Sequence, residues 1–478
     1  MKLASTLFIF LTATLFMSAQ EKPEIWTLEA CVKFAMENNI SVKQAQLDTE
    51  LSEITKKQAI GNYLPSINGN LSNAWNSGLT QNVTTGVLEN QVTRNFSLNA
   101  SANLTLFKGL QNLKELQLAK MERLASQYAL GQMKDDIALF VANAYLQILV
   151  SKQRLAVLKE QNAVTQEQLD QTQKMIDAGT VPEGELLQVK ATNADEEQQI
   201  QIAKNDLQIA KINLAQTLLI EDYKTFDIAD EEYDIPITDI LDKSPQEIIT
   251  KAKEERYEVK VAEQQRDMAE KNVEITRSNY YPTLSAFINY NTRESDRNRV
   301  VQSGIDPDNP TTQIGVVEGT NQAVVAPNFA FETLSSRSFV DQLWRNDGLS
   351  YGLQLSIPVF NGFQVRHQVA KQKINAERAE FQLEQAKLDL ESDVYQAFVD
   401  AQGALKTYEA ALESVNAQQT AYNYAQERFD VGVSNAFDLT QSKFRLTDAE
   451  NNLINAKYDY IFKLKVLELY FGLQIVEY

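Results

Sequence analysis

The amino-acid sequence predicts a mainly α-helical chain with a small membrane β-barrel, built from two copies of one plan. Three observations carry that prediction. Apolar residues recur at steps of three and four over stretches too long for one compact domain. Four short segments alternate apolar and polar residues, two of them strictly. Both signals then repeat, in the same order, at a fixed offset along the chain.

The N-terminus reads Lys2, then apolar Leu7-Phe8-Ile9-Phe10-Leu11 through Leu15-Phe16-Met17, then Ser18-Ala19. A charged start, an apolar run and small residues predict a signal peptide over 1–20 and an exported protein. That run is short for a membrane helix, and no other stretch approaches the roughly 18 apolar residues one requires. If the chain crosses a membrane, it does so with strands.

Composition excludes several function classes. With 45 Lys+Arg against 64 Asp+Glu the formal net charge is −19, which argues against nucleic acid, since phosphate binding needs a basic face. Cys31 and His367 are the sole cysteine and histidine. An internal disulfide is therefore excluded, and Cys–His catalysis or a His/Cys metal site has no partners. No G-x-S-x-G elbow occurs, and His367 reads as an exposed helical residue. Asp306-Pro307-Asp308-Asn309-Pro310 lacks the spacing of a calcium loop. No enzyme, metal or cofactor is expected.

The duplication fixes the domain plan. Tyr63-Leu64-Pro65-Ser66-Ile67 recurs 217 residues later as Tyr280-Tyr281-Pro282-Thr283-Leu284. Leu106-Phe107-Lys108-Gly109 recurs 253 residues later as Val359-Phe360-Asn361-Gly362. Gly179 and Gly432 share that second offset, as do Glu185 and Asp438, Gln188 and Gln441, and Lys190 and Lys443. The first repeat spans 21–230 and the second 231–478, with 36 extra residues between Pro282 and Gly362. Each repeat opens with a helix (28–62, 246–279), followed by a β-hairpin (about 65–107, about 283–358). A long helix (110–178, 363–431), a tip (near 179–184, near 431–437) and a last helix (183–218, 436–470) follow. The joining segment 219–245, with Asp227, Asp230, Glu231, Glu232 and Pro236, reads as irregular.

The helices carry coiled-coil seams. Leu186, Val189, Ile200, Ala203, Leu207, Ala210 and Leu214 form one stripe, and Leu446, Ala449, Leu453, Ala456 and Tyr460 its counterpart. Leu130, Met133, Ile137, Phe140 and Ala144 extend the pattern into the first long helix. Seventy residues separate Gly109 from Gly179 and Gly362 from Gly432, so each long helix could run roughly 100 Å at about 1.5 Å per residue. An elongated helical barrel accommodates that length and a globule does not.

Phe96, Leu98, Ala100, Ala102, Leu104 and Leu106 alternate with Ser97, Asn99, Ser101, Asn103 and Thr105. Leu349, Tyr351, Leu353, Leu355 and Ile357 alternate likewise, and partner strands lie at about 66–76 and 284–292. Strands of roughly 9–11 residues with one apolar face have transmembrane length and pattern. Polar loops are expected at 77–94 and 293–346. Pro65 and Pro282 mark the change from helix to strand, Gly109 and Gly362 the return to helix. Four strands cannot close a barrel, and membrane barrels have at least about eight. The chain must pool strands with copies of itself; three copies give twelve, though sequence alone also permits a dimer or tetramer.

The doubled Tyr/Leu-Pro junction, the doubled Phe-x-Gly junction and the two tip glycines ahead of an acidic-Leu pair resemble the TolC family of outer-membrane efflux proteins. The resemblance runs from Trp26 to about Leu473. It implies a homotrimer in the outer-membrane lipid, with a 12-stranded β-barrel continuous with a helical tunnel across the periplasm of a Gram-negative bacterium. It also implies a passive duct that completes an efflux pump or type I secretion system with a periplasmic adaptor and an inner-membrane transporter. By resemblance, Gly179, Thr180, Val181, Pro182, Gly432, Val433 and Ser434 are the tips that adaptors contact. Asp438, Gln441 and Glu185 fall at the entrance constriction. There Asp438 matches the family's first gating acid, while Gln441 replaces the second and Ser434 replaces an arginine. Asp438 has two readings, a cation-favouring ring or the first-turn acid of a helix that starts at Asn435. The alternative for the whole chain is a periplasmic coiled-coil adaptor or scaffold, which explains the helices and not the strands.

Overall fold

The structure is a computed structural model that describes residues 25–81, 87–230, 233, 235 and 239–473. The predicted signal peptide and Glu231, Glu232 and Pro236 of the joining segment lie outside those residues. In chain order the elements are α1 (Leu28–Asn38), α2 (Ile40–Gly61), β1 (Ser66–Gln81), β2 (Leu88–Lys108), α3 (Gln111–Asp177) and α4 (Glu183–Thr217). Then come α5 (Pro245–Glu255), α6 (Tyr257–Arg277), β3 (Thr283–Ser295), β4 (Arg299–Ile305), β5 (Thr311–Val316), β6 (Ala323–Pro327) and β7 (Phe329–Leu334). Last are α7 (Phe339–Arg345), β8 (Gly348–Ser356), α8 (Gln364–Asp430) and α9 (Ala436–Tyr470). No helix among the described residues is long and apolar enough to cross a membrane.

The chain forms two compact units, each drawn from separate stretches of sequence. One, comprising 53–121 and 268–377, holds the sheet. Its four strands run antiparallel in the order β1-β2-β3-β8. Because side chains alternate across a strand, register decides what shares a face. One face carries the row Ile67, Ala102, Ile288 and Tyr351; the other carries Asn68, Ser101, Asn289 and Ser350. The apolar face is bare: Ile67, Leu71, Trp75, Leu349, Tyr351, Leu353 and Leu355 are all more than half exposed.

The strands outrun their expected ends. β1 continues to Gln81 and β2 begins at Leu88, so most of the segment expected as a 77–94 loop is sheet. Backbone pairing continues there after the apolar alternation has weakened, which periodicity alone cannot register. The 293–346 segment is likewise structured. β4 pairs with β7, β5 pairs with β6, and α7 follows. These short strands are largely exposed and pack little apolar surface, so their sequence signal is faint.

The other unit comprises residues up to Ser52, 122–267 and those from Arg378 onward. Each repeat's opening helix proves to be two. The backbone leaves the helix at Asn39 and, 217 residues on, at Arg256. Asn39 donates its N–H to the Ala35 carbonyl, accepts from the Ser41 N–H at 2.9 Å, and donates through Nδ2 to the Thr217 carbonyl at 3.1 Å. It thereby ends one helix, starts the next and ties both to the end of α4. Arg256 holds the second break by pairing with Asp135 at 3.0 Å and Glu258 at 2.7 Å beneath Tyr470.

Cys31, Val32, Tyr145, Ile148, Leu214 and Ile461 build one core of this unit, and Ile248, Ile249, Val394, Leu464 and Leu467 another. The α4 and α9 seams are buried or half-buried where the spacing predicts. Of the α3 stripe, Leu130, Met133, Ile137 and Ala144 are half-buried and Phe140 is the exception. Ala138, Val141, Ala142, Tyr145, Ile148 and Leu149 are buried, whereas Phe140 of the expected stripe is 56% exposed. α3 carries two apolar stripes, and periodicity cannot say which one the chain covers itself.

Pro65 and Pro282 immediately precede β1 and β3. Gly109 and Gly362 adopt φ of 58° and 61°. The next residues, Leu110 and Phe363, share that left-handed conformation at 62° and 61°, a strain the sequence did not reveal. Space separates the two junctions. A Cβ on Gly109 would lie 2.8 Å from the Ser278 carbonyl oxygen, while one on Gly362 meets nothing within 4 Å. Gly362→Ala should therefore cost only the backbone strain, about 1–2 kcal/mol. Gly109→Ala should add an overpacking cost of about 1–3 kcal/mol. Thermal unfolding of the two variants checks the order; equal losses would contradict it.

Candidate functional site

The two hairpin tips lie in the same unit and are built alike. At the end of α3 the Gly179 N–H bonds to Ile176 and the Thr180 N–H to Met175, with Gly179 at φ 71°. At the end of α8 the Gly432 N–H bonds to Phe429 and the Val433 N–H to Arg428, with Gly432 at φ 76°. Both are Schellman closures, which satisfy the last carbonyls of a helix through one left-handed residue. The restarts differ. Pro182 precedes α4 without a side-chain cap, whereas Asn435 caps α9 by accepting from the Asp438 N–H at 2.9 Å.

The tips are joined to each other. Glu185, in the first turn of α4, accepts the Ala436 N–H of α9 at 3.3 Å. That N–H is one of the unpaired donors at a helix start, and a carboxylate suits it twice over, by hydrogen bonding and by opposing the helix dipole. Behind the contact, Val189, Phe429, Ala436 and Leu439 form a small buried cluster. Glu185, placed at the constriction by sequence, is thus committed to holding the second tip.

Asp438 and Gln441 are exposed. Asn435 supplies the cap, so Asp438 is a first-turn acid whose carboxylate makes no hydrogen bond or ion pair among the described residues. Val181 and Ser434 are half-buried; Gly179, Thr180, Pro182, Gly432 and Val433 are exposed. Around them Leu187, Val431, Val433 and Phe437 leave 60–73% of their surface in the open.

Sequence reasoning missed a buried polar cluster above the tips. Lys443 enters the α9 seam between Leu439 and Leu446 and is 4% exposed. Its ammonium pairs with Glu196 of α4 at 2.9 Å and also donates to the Gln161 carbonyl and the Thr165 hydroxyl of α3. Glu196 further accepts from Thr165 at 2.9 Å and from Asn162 at 3.1 Å. Burial pushes the Lys443 ammonium below the ordinary lysine range, and Glu196 opposes that drop. The signal was present: a lysine four residues after Leu439 and three before Leu446 occupies a seam position. The repeat obscured it, because its counterpart Lys190 is exposed and the counterpart of Glu196 is Ala449.

This geometry of paired helical hairpins and a one-faced sheet has relatives. The sequence pattern of the family described as outer membrane efflux protein matches residues 32–218 and 248–473, one segment in each repeat. The chain belongs to that family. The outer membrane protein TolC of Vibrio cholerae serotype O1 is 26% identical over 230 residues, which is 48% of this chain and 43% of that protein. The match thus spans under half the length of that relative. Among solved structures, CusC superposes with a TM-score of 0.72 at 16% identity, covering 94% of this chain and 92% of that one. VceC from Vibrio cholerae gives 0.71 at 13% identity, covering 94% and 97%. At such identities the structures establish a shared fold. The family is one of outer-membrane efflux proteins, so this chain is an outer-membrane protein and not an enzyme.

The Lys443–Glu196 pair makes a measurable claim for this family member. Lys443→Met alone leaves a buried carboxylate without its cation and should cost about 3–5 kcal/mol. Adding Glu196→Leu should restore most of the loss, since burying an isolated charge is the main penalty. Unfolding midpoints of the wild type, both single variants and the double variant complete the cycle. Small additive losses would show that the pair does not couple the helices.

Proposed function

We propose that three copies of this chain assemble into the exit duct of an efflux pump or type I secretion system, a passive conduit across the outer membrane and periplasm. One observation carries the reading. One face of the four-stranded sheet is predominantly apolar and bare, and its end strands β1 and β8 lack further partners among the described residues. In hydrocarbon an unpaired backbone group costs several kcal/mol, so these edges require sister edges. Three sheets give a closed 12-stranded barrel with the Asn/Ser face turned to a water-filled lumen.

The helices support the same assembly. On α8, Ile374, Phe381, Leu388 and Tyr395 repeat at seven-residue spacing and are each 56–61% exposed. On α2, Leu47, Leu51 and Ile54 are at least half exposed. A heptad of bare apolar residues is a seam awaiting another helix. The tips, with Leu187, Val431, Val433 and Phe437 uncovered, present an apolar surface to a periplasmic adaptor, which would link the duct to an inner-membrane transporter. Three copies of Asp438 around the entrance would favour cations over anions. Opening would separate the tips, against the Glu185–Ala436 contact and the Lys443 cluster.

Detergent-extracted protein should have the mass of three chains and should conduct ions in planar bilayers; single chains without conductance would defeat the proposal. Asp438→Asn should lower the cation-to-anion permeability ratio by about two-fold or more while leaving assembly intact. An unchanged ratio would reduce Asp438 to a first-turn acid. Val433→Asp with Phe437→Asp should abolish adaptor capture and spare the trimer, and retained capture would place the docking surface elsewhere.

A further inference from the structure

The lipid-facing side of the sheet is uneven in height, and α7 lies where it runs short. Along β3 the residues on the apolar face are Leu284, Ala286, Ile288 and Tyr290, then Thr292 and Glu294. Leu284 to Tyr290 covers about 20 Å of strand at about 3.3 Å per residue. Tilted by about 40°, that is about 15 Å of membrane depth, against the about 25 Å apolar band of such barrels. On β2 the apolar side chains Phe96 to Leu106 alone span about 25 Å on the same reckoning. On β3 the face therefore turns polar early, where Thr292 and Glu294 continue it.

Those two residues are covered. Each is 4% exposed. The Thr292 hydroxyl donates to the Leu343 carbonyl of α7 at 2.7 Å. Gln342 pairs with the backbone of Ser295 in both directions, at 2.9 and 3.1 Å, and Asn346 donates to the Arg293 carbonyl. Phe339 packs edge-on against Phe96 with ring centres 5.1 Å apart. Its ring also lies beneath the guanidinium of Arg94, which is paired with Glu294 at 2.6 Å. Phe96, Arg94, Thr292 and Glu294 all belong to the apolar face by register, so α7 sits on the lipid side of the sheet. Outward it shows Trp344, 73% exposed, with Val340 at 59% and Phe339 at 41%.

We propose that α7 is a lipid-binding element: it lies in the boundary between headgroups and acyl chains of the outer leaflet, with Trp344 and Val340 inserted. The covering helix is about 10 Å across, which equals the missing depth over Thr292 and Glu294. An exposed Trp beside an apolar band is the residue type that prefers this boundary. The surface is continuous with the apolar face of the sheet. Arg337 and Arg345 flank Asp341, which bonds to Arg345 at 2.8 Å, and with Asp347 the segment 337–347 is electrically neutral, so apolar contact carries the attachment. α7 thus covers Thr292 and Glu294, which would otherwise face hydrocarbon, leaves Arg94 half-buried at its margin, and supplies apolar surface in their place.

This inference rests on the reading that the sheet spans the outer membrane, and the test separates the two. The full-length protein is placed in phosphatidylcholine vesicles with bromine high on the acyl chains. Trp26→Phe/Trp75→Phe leaves Trp344 as reporter, and Trp26→Phe/Trp344→Phe leaves Trp75, on β1 of the same face. Brominated lipid should quench Trp344 by about half, comparably to Trp75, and aqueous iodide should quench it little. Trp75 quenched and Trp344 open to iodide, or shielded from both quenchers, would overturn the proposal for α7 while leaving the barrel intact. Neither tryptophan quenched by lipid would overturn both readings. Should a tryptophan variant fail to fold, Val340→Cys in a Cys31→Ala background, spin-labelled, reads the same depth from its accessibility to oxygen against a water-soluble nickel chelate. A label favouring the nickel chelate counts against lipid contact.

Discussion

Among the described residues the outer edges of β1 and β8 have no strand partner, and the proposed assembly turns on those edges. In water such edges are a liability that charges or bulges can blunt. Beside hydrocarbon they have no solvent to fall back on, and only pairing satisfies them. The apolar face of the sheet suits hydrocarbon, which is why the proposed duct pairs these edges with further copies. In that duct each long helix has one apolar stripe for its own chain and offers another to a neighbour.

That double requirement explains why burial within the chain divides the helical stripes. α3 covers Tyr145 and Ile148 and leaves Phe140 bare, and α8 covers Val394 and Ala401 while exposing Phe381, Leu388 and Tyr395. A soluble bundle with so many open apolar residues would aggregate. Here the spacing of seven keeps them in one line, which suits a helix partner of the same kind. Against this apolar background, Lys443 and Glu196 stand out as the buried charged pair that locks α9 to α3 and α4 near the tips. Such pairs contribute more to register than to net stability. Glu185 acts at the tip in the same sense, because it completes a helix start belonging to the other hairpin.

The segment between β3 and β8 illustrates a different arrangement. It is the second repeat's long insertion, and much of it folds on itself as β4 to β7. α7 alone returns to the sheet, and it does so over the two polar residues that would otherwise interrupt the apolar face. There the Glu294 carboxylate is buried against Arg94, so the covered charge has its partner.

The sequence by itself determined the periodic features. The duplication, the lengths of α3, α4, α8 and α9, the prolines and glycines at the junctions, and the two faces of the sheet all follow from local spacing. Local spacing expresses backbone geometry, and a helix or strand repeats its geometry wherever it lies. Tertiary structure decided what depends on neighbours distant along the chain. It chose which α3 stripe is covered and broke the opening helices at Asn39 and Arg256, whose partners lie at Thr217 and Asp135. It buried Lys443 while leaving its repeat partner Lys190 in the open, gave Glu185 to the start of α9, and set α7 on the apolar face of the sheet. None of these carries a period, because each is a contact between elements whose separation in sequence has no fixed relation to their distance in space.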